Sequence, residues 1–570
     1  MYFPTRKRLG DILKDAHLIN EQQLQLALQK QKESGERLGT LLVKMGMVKE
    51  EELIQALEQQ LGIPAIRLSR MPLEAEVVRL IPEALAQRYK AIPIRKQNNR
   101  LTVAMADPLN VFAIDDIRLS TGLEVEPVIA RESEINAAIN QYYGLTDSLE
   151  KIIENLDEEE FAEEELGLDQ LKELVEDAPV VRLVNTVIQQ AVRNRASDIH
   201  IEPQEKQLRI RQRVDGVLQE MMTLPRKMQA PVISRVKIMA NLDIAERRIP
   251  QDGRIQLTVE HKEIDLRVST LPTIYGEKVV LRILDKSRGL LGLSDLGLAP
   301  ENLQRFEQIL KHPNGIFLVT GPTGSGKTTT LYSLLKQINS PERNIVTLED
   351  PVEYTLEGIN QVQVNPKTGL TFAGGLRSIL RQDPDVVLVG EIRDTETAQI
   401  AIQAAMTGHL VFSTLHTNSA AATISRLLDM GIEPFLVATA LTGVAAQRLV
   451  RSLCPECRQE HWLPVKWLEN LGLSEDVWQY ARREGERVLV YKPGRCTLCN
   501  NTGYIGRIGI HEVLIMSDKL RELVVQKAAA SKIEQQAVAE GMITLRHDGV
   551  RKVLSGLTSL EEVMRTVFVD

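Results

Sequence analysis

The chain has 570 residues, 43% of them hydrophobic and 26% charged, with a formal net charge of −8. That composition is ordinary for folded globular protein, and the length suggests roughly three to five domains. The negative balance excludes a protein that holds nucleic acid through its overall charge.

Met1–Gly10 carries three cations with no apolar run behind them, which is not the pattern of a secretory signal. Arg8–Gln31 (RLGDILKDAHLINEQQLQLALQKQ) and Arg37–Gln60 (RLGTLLVKMGMVKEEELIQALEQQ) form an internal repeat, identical at nine of 24 positions and separated by five residues. Each copy reads as a short helix, a turn and a second helix, with Leu24 and Leu28, or Leu53 and Leu57, at i, i+4 spacing. The pattern turns mixed α/β from Gly62 to about Tyr143, with Leu101–Met105 as a strand and Asp107-Pro108 as a turn. Glu154–Glu165 holds eight acids and no cation, the mark of a solvated linker. The division expected is 1–145, a linker over 146–177, an α/β domain over 178–290, a core over 291–450, a cysteine region over 451–510 and C-terminal helices over 511–570.

In the second domain, strands are predicted at Gln207–Arg213, Ile255–Val259, Ile264–Val268 and Lys278–Leu284. In the core, Gly315–Thr320, Asn344–Leu348, Asp385–Val389 and Leu410–Thr414 alternate with helical stretches, the rhythm of a parallel sheet covered on both faces. Thr397–Ser425 lacks Asp, Glu, Lys and Arg, yet Gln399, Gln403, Gly408, His409, His416 and Asn418 interrupt it. It reads as buried core and not as a membrane span, so membrane association is expected through partners only.

Gly315–Thr320 runs into Gly321-Pro322-Thr323-Gly324-Ser325-Gly326-Lys327-Thr328, followed by Thr329 and a helical stretch to Ile338. This is a phosphate-binding loop in its strand–loop–helix context. The glycines let backbone N–H groups surround a β-phosphate at a helix N-terminus, Lys327 neutralises β/γ oxygens, and the Thr328 hydroxyl suits Mg²⁺. Hydrolysis of ATP also needs carboxylates. Two strands end in them: Glu349-Asp350-Pro351-Val352-Glu353 and Gly390-Glu391-Ile392-Arg393-Asp394. A lone acid at a strand end is commonly a helix cap, but two clusters behind a phosphate loop point to chemistry.

The four cysteines fall in two pairs, Cys454/Cys457 and Cys496/Cys499, 38 residues apart. Two CxxC pairs make a closed tetrahedral set suited to structural Zn²⁺, whereas thioredoxin-like redox chemistry needs only one. Lys492, Arg495 and Arg507 close by make the region a candidate docking surface.

The strings GPTGSGKTTT, TLEDPVEY, LRSILRQDPDVVLVGEIRD and TGHLVFSTLHTN, in that order, resemble the ATPases of type II secretion and type IV pilus extension, the general secretion pathway protein E type. The resemblance runs from about Ala178 to the end. It implies a multidomain α/β chain: a RecA-like P-loop core, preceded by a smaller PAS-like α/β domain and an N-terminal helical module, with a Cys₄ zinc insert and a helical C-terminus. It also implies a cytoplasmic homohexamer, peripheral at the inner membrane, working with a membrane platform and docking proteins and with no nucleic-acid polymer. By resemblance Glu353 is the catalytic base with Glu349 beside it, Glu391 supports Mg²⁺ through water, and His416 senses the γ-phosphate. His409 is a second candidate sensor, and for either histidine the alternative is a satisfied core residue. Arg267, Arg282, Arg377 and Arg381 contact phosphates across a domain or subunit boundary.

The tandem RLG motifs are similar to the cyclic-di-GMP-binding module of some of these ATPases. The residues implied are Arg8, Leu9, Gly10 and Gln31 with Arg37, Leu38, Gly39 and Gln60, the arginines forking onto guanine and the glycines allowing close approach. The first copy departs from the pattern, with Lys14 in place of Val43 and His17 in place of Gly46. A helical module that only docks a membrane partner is the alternative. Phrases such as HTNSA, GIEPFL and QRLVRSLCPEC resemble the secretion branch, with pilus extension as runner-up. A nucleic-acid helicase is disfavoured by the acidic charge. A non-hydrolysing nucleotide-binding scaffold is disfavoured by Glu353 and Glu391.

Overall fold

The computed structural model describes residues 9–34, 38–48, 50–68, 71, 73–143, 178–259, 261–285, 291–466 and 479–567. The acidic stretch at 154–165 lies outside them. The chain divides into two compact units, one of Met1–Ala162 with Cys454–Arg458 and Pro493–Gly503, the other of the remaining segments.

The first unit begins with two helix pairs, α1 (Leu9–Asp15) with α2 (Glu21–Ser34) and α3 (Leu38–Lys44) with α4 (Glu50–Leu61). They interlock, α1 packing on α4 and α2 on α3, around Leu13, Leu24, Ala27, Leu42, Leu53 and Ala56. Neither copy can bury its apolar face alone, so the repeat is one small core. There follow α5 (Ala75–Val78), α6 (Glu83–Tyr89), β1 (Ala91–Gln97), β2 (Arg100–Met105), α7 (Val111–Thr121), β3 (Glu124–Ile129) and α8 (Glu132–Tyr142). β1 and β2 pair antiparallel, β2 and β3 in parallel. Tyr143 is buried and donates its hydroxyl to the carbonyls of Val78 and Ile81, closing this α/β layer.

The second unit opens with α9 (Ala178–Arg193), β4 (Asp198–Pro203), β5 (Gln207–Val214), β6 (Val217–Pro225), α10 (Gln229–Met239), β7 (Gln251–Val259), β8 (Lys262–Thr273) and β9 (Gly276–Asp285). The six strands form one antiparallel sheet in the order β6-β5-β4-β9-β8-β7. Ile199, Ile201, Ile210 and Leu281 turn to one face, where Leu183, Val184, Val187 and Ile188 of α9 and Val232 and Val236 of α10 cover them. The period of two then sends the alternate, charged residues to the opposite face.

The core comprises α11 (Pro300–Leu310), β10 (Gly315–Thr320), α12 (Lys327–Ile338), β11 (Ile345–Glu349), β12 (Asn360–Gln363), α13 (Phe372–Ile379), β13 (Val386–Val389), α14 (Thr395–Met406), β14 (Leu410–Leu415), α15 (Ala420–Asp429), α16 (Pro434–Ala440) and β15 (Leu441–Leu453). Past a small antiparallel sheet of β16 (Gln459–Pro464), β17 (Arg483–Glu484) and β18 (Arg487–Lys492) comes β19 (Tyr504–Ile515). The core sheet runs β12-β11-β13-β14-β10-β15-β19, parallel except for β19, which pairs antiparallel with β15. Its strands are buried on both faces: Phe317 and Val319 pack towards α11 and α12, while Ile316 and Leu318 face the opposite helical layer. This is why the strands read as unbroken apolar runs.

Four helices end the chain, α17 (Asp518–Val525), α18 (Ala530–Ala539), α19 (Leu545–Leu554) and α20 (Leu560–Val567). They are fixed to the core by Glu512 of β19, whose buried carboxylate accepts from the N–H of Ala420 (2.8 Å) and of Leu545 (3.2 Å). One side chain thus satisfies orphan donors at the starts of α15 and α19.

Candidate functional site: a phosphate loop and an acidic sheet edge

In a parallel sheet the loops after the strands gather at one edge. Here the order β11-β13-β14-β10 brings Glu349–Glu353, Gly390–Glu391, His416 and the phosphate loop to that edge. The loop closes against β15. Gly321 has φ +150°, and a Cβ there would lie 2.5 Å from the carbonyl of Gln447. The buried Gln447 amide donates to the carbonyl of Ser325 (2.6 Å) and accepts from Thr330 Oγ1 (2.8 Å). Gly326, at φ +87°, turns the chain into α12, so the N–H groups at the helix start face the loop. Lys327 Nζ donates to the carbonyls of Gly321 (2.9 Å) and Pro322 (3.2 Å). Burial pulls its pKa down, with Glu391 acting in the opposite sense. Thr320 Oγ1 accepts from the Thr417 N–H (2.9 Å), tying the end of β10 to the loop behind His416.

The carboxylates differ sharply. Glu391 is largely buried, with Arg393 Nη2 2.5 Å from one oxygen and His416 Nε2 3.3 Å from the other. Glu353 is partly exposed and pairs with Arg267 Nη2 at 3.1 Å; the same nitrogen donates to the carbonyl of Val352 (3.0 Å). Glu349, expected beside Glu353 as a catalytic carboxylate, is only 3% exposed. Its oxygens accept from Tyr332 Oη (2.5 Å), Thr347 Oγ1 (2.6 Å) and Gln361 Nε2 (3.2 Å), so protein donors already occupy it. His409 sits just before β14, at the end of the sheet away from the phosphate loop, its Nδ1 2.9 Å from the carbonyl of Ala404. It is the satisfied structural histidine.

Of the four arginines only Arg267 bonds to the acidic edge. Arg282 bonds Asp198 (3.1 Å), Arg377 bonds Glu396 (2.5 Å), and Arg381 donates to the Arg377 carbonyl (2.9 Å) and to Ser378 (3.1 Å). Strand register adds something the sequence hides. Arg254, Arg267, Arg282, Asp198 and Arg213 stand side by side across β7, β8, β9, β4 and β5, on the face opposite α9 and α10. Neighbouring strands are only about 4.8 Å apart, and like charges directly opposite repel. Asp198 relieves one end of the row, lying 3.1 Å from Arg282 and 3.6 Å from Arg213.

Arg213, Arg254, Tyr332, Gln361 and Gln447 carry no local signal in the sequence, and the pairing of Arg393 with Glu391 is seen only in the structure. Only Arg393, two residues from Glu391, was within reach of a local motif.

The four cysteine sulfurs converge within 4.8 Å of one another, with Cys454–Cys496, Cys457–Cys499 and Cys496–Cys499 at 3.6, 3.7 and 3.5 Å. A tetrahedron with Zn–S bonds of about 2.3 Å has S–S edges near 3.8 Å, so the set fits that ion. The Gly503 N–H points at Cys499 Sγ (3.1 Å), a donor suited to a thiolate.

In the repeats, Arg8 and Arg37 lie outside the described residues, as do the side chains of Leu9 and Gln60. Gly10 and Gly39 are buried: a Cβ would meet Leu24 at 2.8 Å and Leu53 at 3.1 Å. The missing side chains allow close helix packing within each repeat. Gln31 and Leu38 are partly exposed. Lys14 is held by Glu21 (2.8 Å) and Asp11 (3.7 Å), and His17 adopts φ +55° where its counterpart Gly46 has φ +67°. The turn is kept, at the strain a side chain carries in that region.

Residues 173–565 match the model for the type II/IV secretion system protein family, and residues 61–149 match the MshEN domain, which begins just past the second repeat. The chain is 47% identical over 567 residues to the type IV pilus assembly ATPase PilB of Myxococcus xanthus, covering 99% of each. It is 46% identical over 563 residues to the type II secretion system protein E of Xanthomonas campestris, covering 97% of this chain and 96% of that one. The X-ray structure of the Legionella pneumophila ATPase DotB matches 67% of this chain and 95% of its own, with TM-score 0.50 and 20% identity, a likeness of fold. The phosphate loop, the carboxylate edge and whole-length similarity to a pilus assembly ATPase and to a type II secretion system protein E agree: the chain belongs to the type II/IV secretion system protein family and is an ATPase of its secretion and pilus-assembly kind.

Proposed function

We propose that this ATPase works as a homohexamer at the cytoplasmic face of the inner membrane, driving assembly of a pseudopilus for type II secretion. Extension of a type IV pilus is the second reading; it uses the same chemistry, and a relative of nearly equal identity stands on each side. No helix among the described residues is long and apolar enough to cross a membrane, so platform and docking proteins supply the attachment.

The observation that carries the catalytic reading is the convergence of Lys327, Glu353, Glu391 and His416 on one sheet edge. Backbone N–H groups along Gly321–Thr329, Pro322 excepted, and the Lys327 ammonium hold the β- and γ-phosphates. Thr328 and, through water, Glu391 suit Mg²⁺, which when bound neutralises phosphate charge. His416, beside Glu391, faces the γ-phosphate. Glu353 orients the attacking water and takes its proton, with Arg267 holding the carboxylate in place. Arg282, Arg377 and Arg381 serve a phosphate bound at a boundary with a neighbouring subunit, as arginine fingers do.

Lys327→Ala is expected to abolish Mg²⁺-dependent ATPase activity. Glu353→Gln is expected to keep nucleotide binding and to lower turnover by about 10²–10⁴-fold. Steady-state turnover beside equilibrium nucleotide binding checks this; a wild-type rate for Glu353→Gln removes it as the base.

The cysteines hold one structural Zn²⁺ per chain. Elemental analysis of protein purified without chelator should return one equivalent, and no zinc would contradict the assignment. Cys454→Ser and Cys499→Ser should lose the metal and local stability on the order of 10 kcal/mol, seen as early melting and poor solubility.

Cyclic-di-GMP binds the tandem repeat, held more tightly by the second copy. The support is the asymmetry: Lys14 and His17 replace an apolar residue and a glycine in the first copy only. A lost bidentate arginine–guanine contact costs about 1–3 kcal/mol. Arg37→Ala should therefore weaken calorimetric binding by the full chain about five- to 150-fold, and Arg8→Ala by less. Equal losses would refute the asymmetry, and no heat with wild type would leave only partner docking.

A further inference from the structure

We infer that Tyr332 and Gln361 are positioning residues for hydrolysis, setting Glu353 at the nucleotide through a buried hub on Glu349. The inference rests on Glu353 being the base. Four residues, Asp350–Glu353, bridge from the end of β11 to Tyr354, and both ends of that bridge are pinned by the same two side chains. At the first end, Glu349 accepts from Tyr332 Oη (2.5 Å) and Gln361 Nε2 (3.2 Å). At the second, the Tyr354 ring stands edge-on to the Tyr332 ring, 4.8 Å between centroids and 86° between planes. The Tyr354 carbonyl accepts from Gln361 Nε2 (3.2 Å), and Gln361 Oε1 accepts from the Leu356 N–H just beyond (2.6 Å).

Tyr332 is fully buried in α12, five residues after Lys327. The helix that begins at the phosphate loop therefore reaches the loop carrying Glu353 through one hydroxyl. Gln361 gives the same hub a hold on β12, the edge strand beside β11. A nucleotide seated at Lys327 is thereby placed at a fixed offset from Glu353. Catalytic geometry tolerates little slack: displacement of a reacting group by about 1 Å costs on the order of a hundredfold in rate.

The test is steady-state ATP hydrolysis by the full chain carrying Tyr332→Phe, which keeps the ring contact and removes the hydroxyl. Its kcat should fall about ten- to a hundredfold while KM for ATP stays within about twofold. Gln361→Ala, at an only partly buried edge position, should reproduce the split and guards against a Tyr332 variant that fails to fold. In a Glu353→Gln background either change should add nothing, because a residue acting through Glu353 has nothing left to position. A wild-type kcat in both variants overturns the inference. So does a parallel loss of kcat and nucleotide affinity, or a further loss added to that of Glu353→Gln. If Glu353→Gln alone turned over normally, the base assignment would fail first, and that outcome is read separately.

Discussion

The phosphate loop depends on its closure against β15. Gly321 lies so close to the Gln447 carbonyl that no side chain fits, and the Gln447 amide clasps Ser325 on one side and Thr330 on the other. A loop of this kind binds phosphate only if its N–H groups are already aimed inward, since ordering them at the moment of binding consumes affinity. β15 can serve as that wall because β10 and β19 hold it on both sides. β19 in turn fixes α15 and α19 through Glu512. The C-terminal third of the core is thus the back of the nucleotide site.

At the same edge three carboxylates have three environments and so three capacities. Glu349 is saturated by protein donors and acts as an anchor. Glu391 lies between Arg393 and His416, while Glu353 pairs with an arginine that arrives from the antiparallel sheet of the preceding domain. The arginine row across that sheet concentrates positive charge on the face opposite α9 and α10. Like charges so close repel, and Asp198 and Glu353 are anions that pair with members of the row.

What the sequence makes legible is local. The phosphate loop, the acids at strand ends and the paired cysteines each sit within a few residues of a periodic strand or a fixed spacing, and backbone geometry alone puts them where chemistry needs them. Gln447, Tyr332 and Gln361 are invisible to such reading because they act on groups 122, 17 and 12 residues away. The arginine row requires strand register, which composition does not set. β15 and β19 escape strand patterns because Ala445, Ala446, Gly506 and Gly509, with the buried His511 and Glu512, interrupt the branched alternation. At Gly10 and Gly39 the missing side chain admits a leucine of the same repeat, a packing that the motif alone does not reveal.

Closure against β15 holds the loop in its phosphate-binding shape. Its most direct test is the affinity of the full chain for a non-hydrolysable MgATP analogue, wild type against Gln447→Ala. Two lost hydrogen bonds at a buried site, at about 1–3 kcal/mol each, predict affinity lower by about tenfold or more, with the secondary structure retained. Unchanged affinity in a folded Gln447→Ala protein would contradict it.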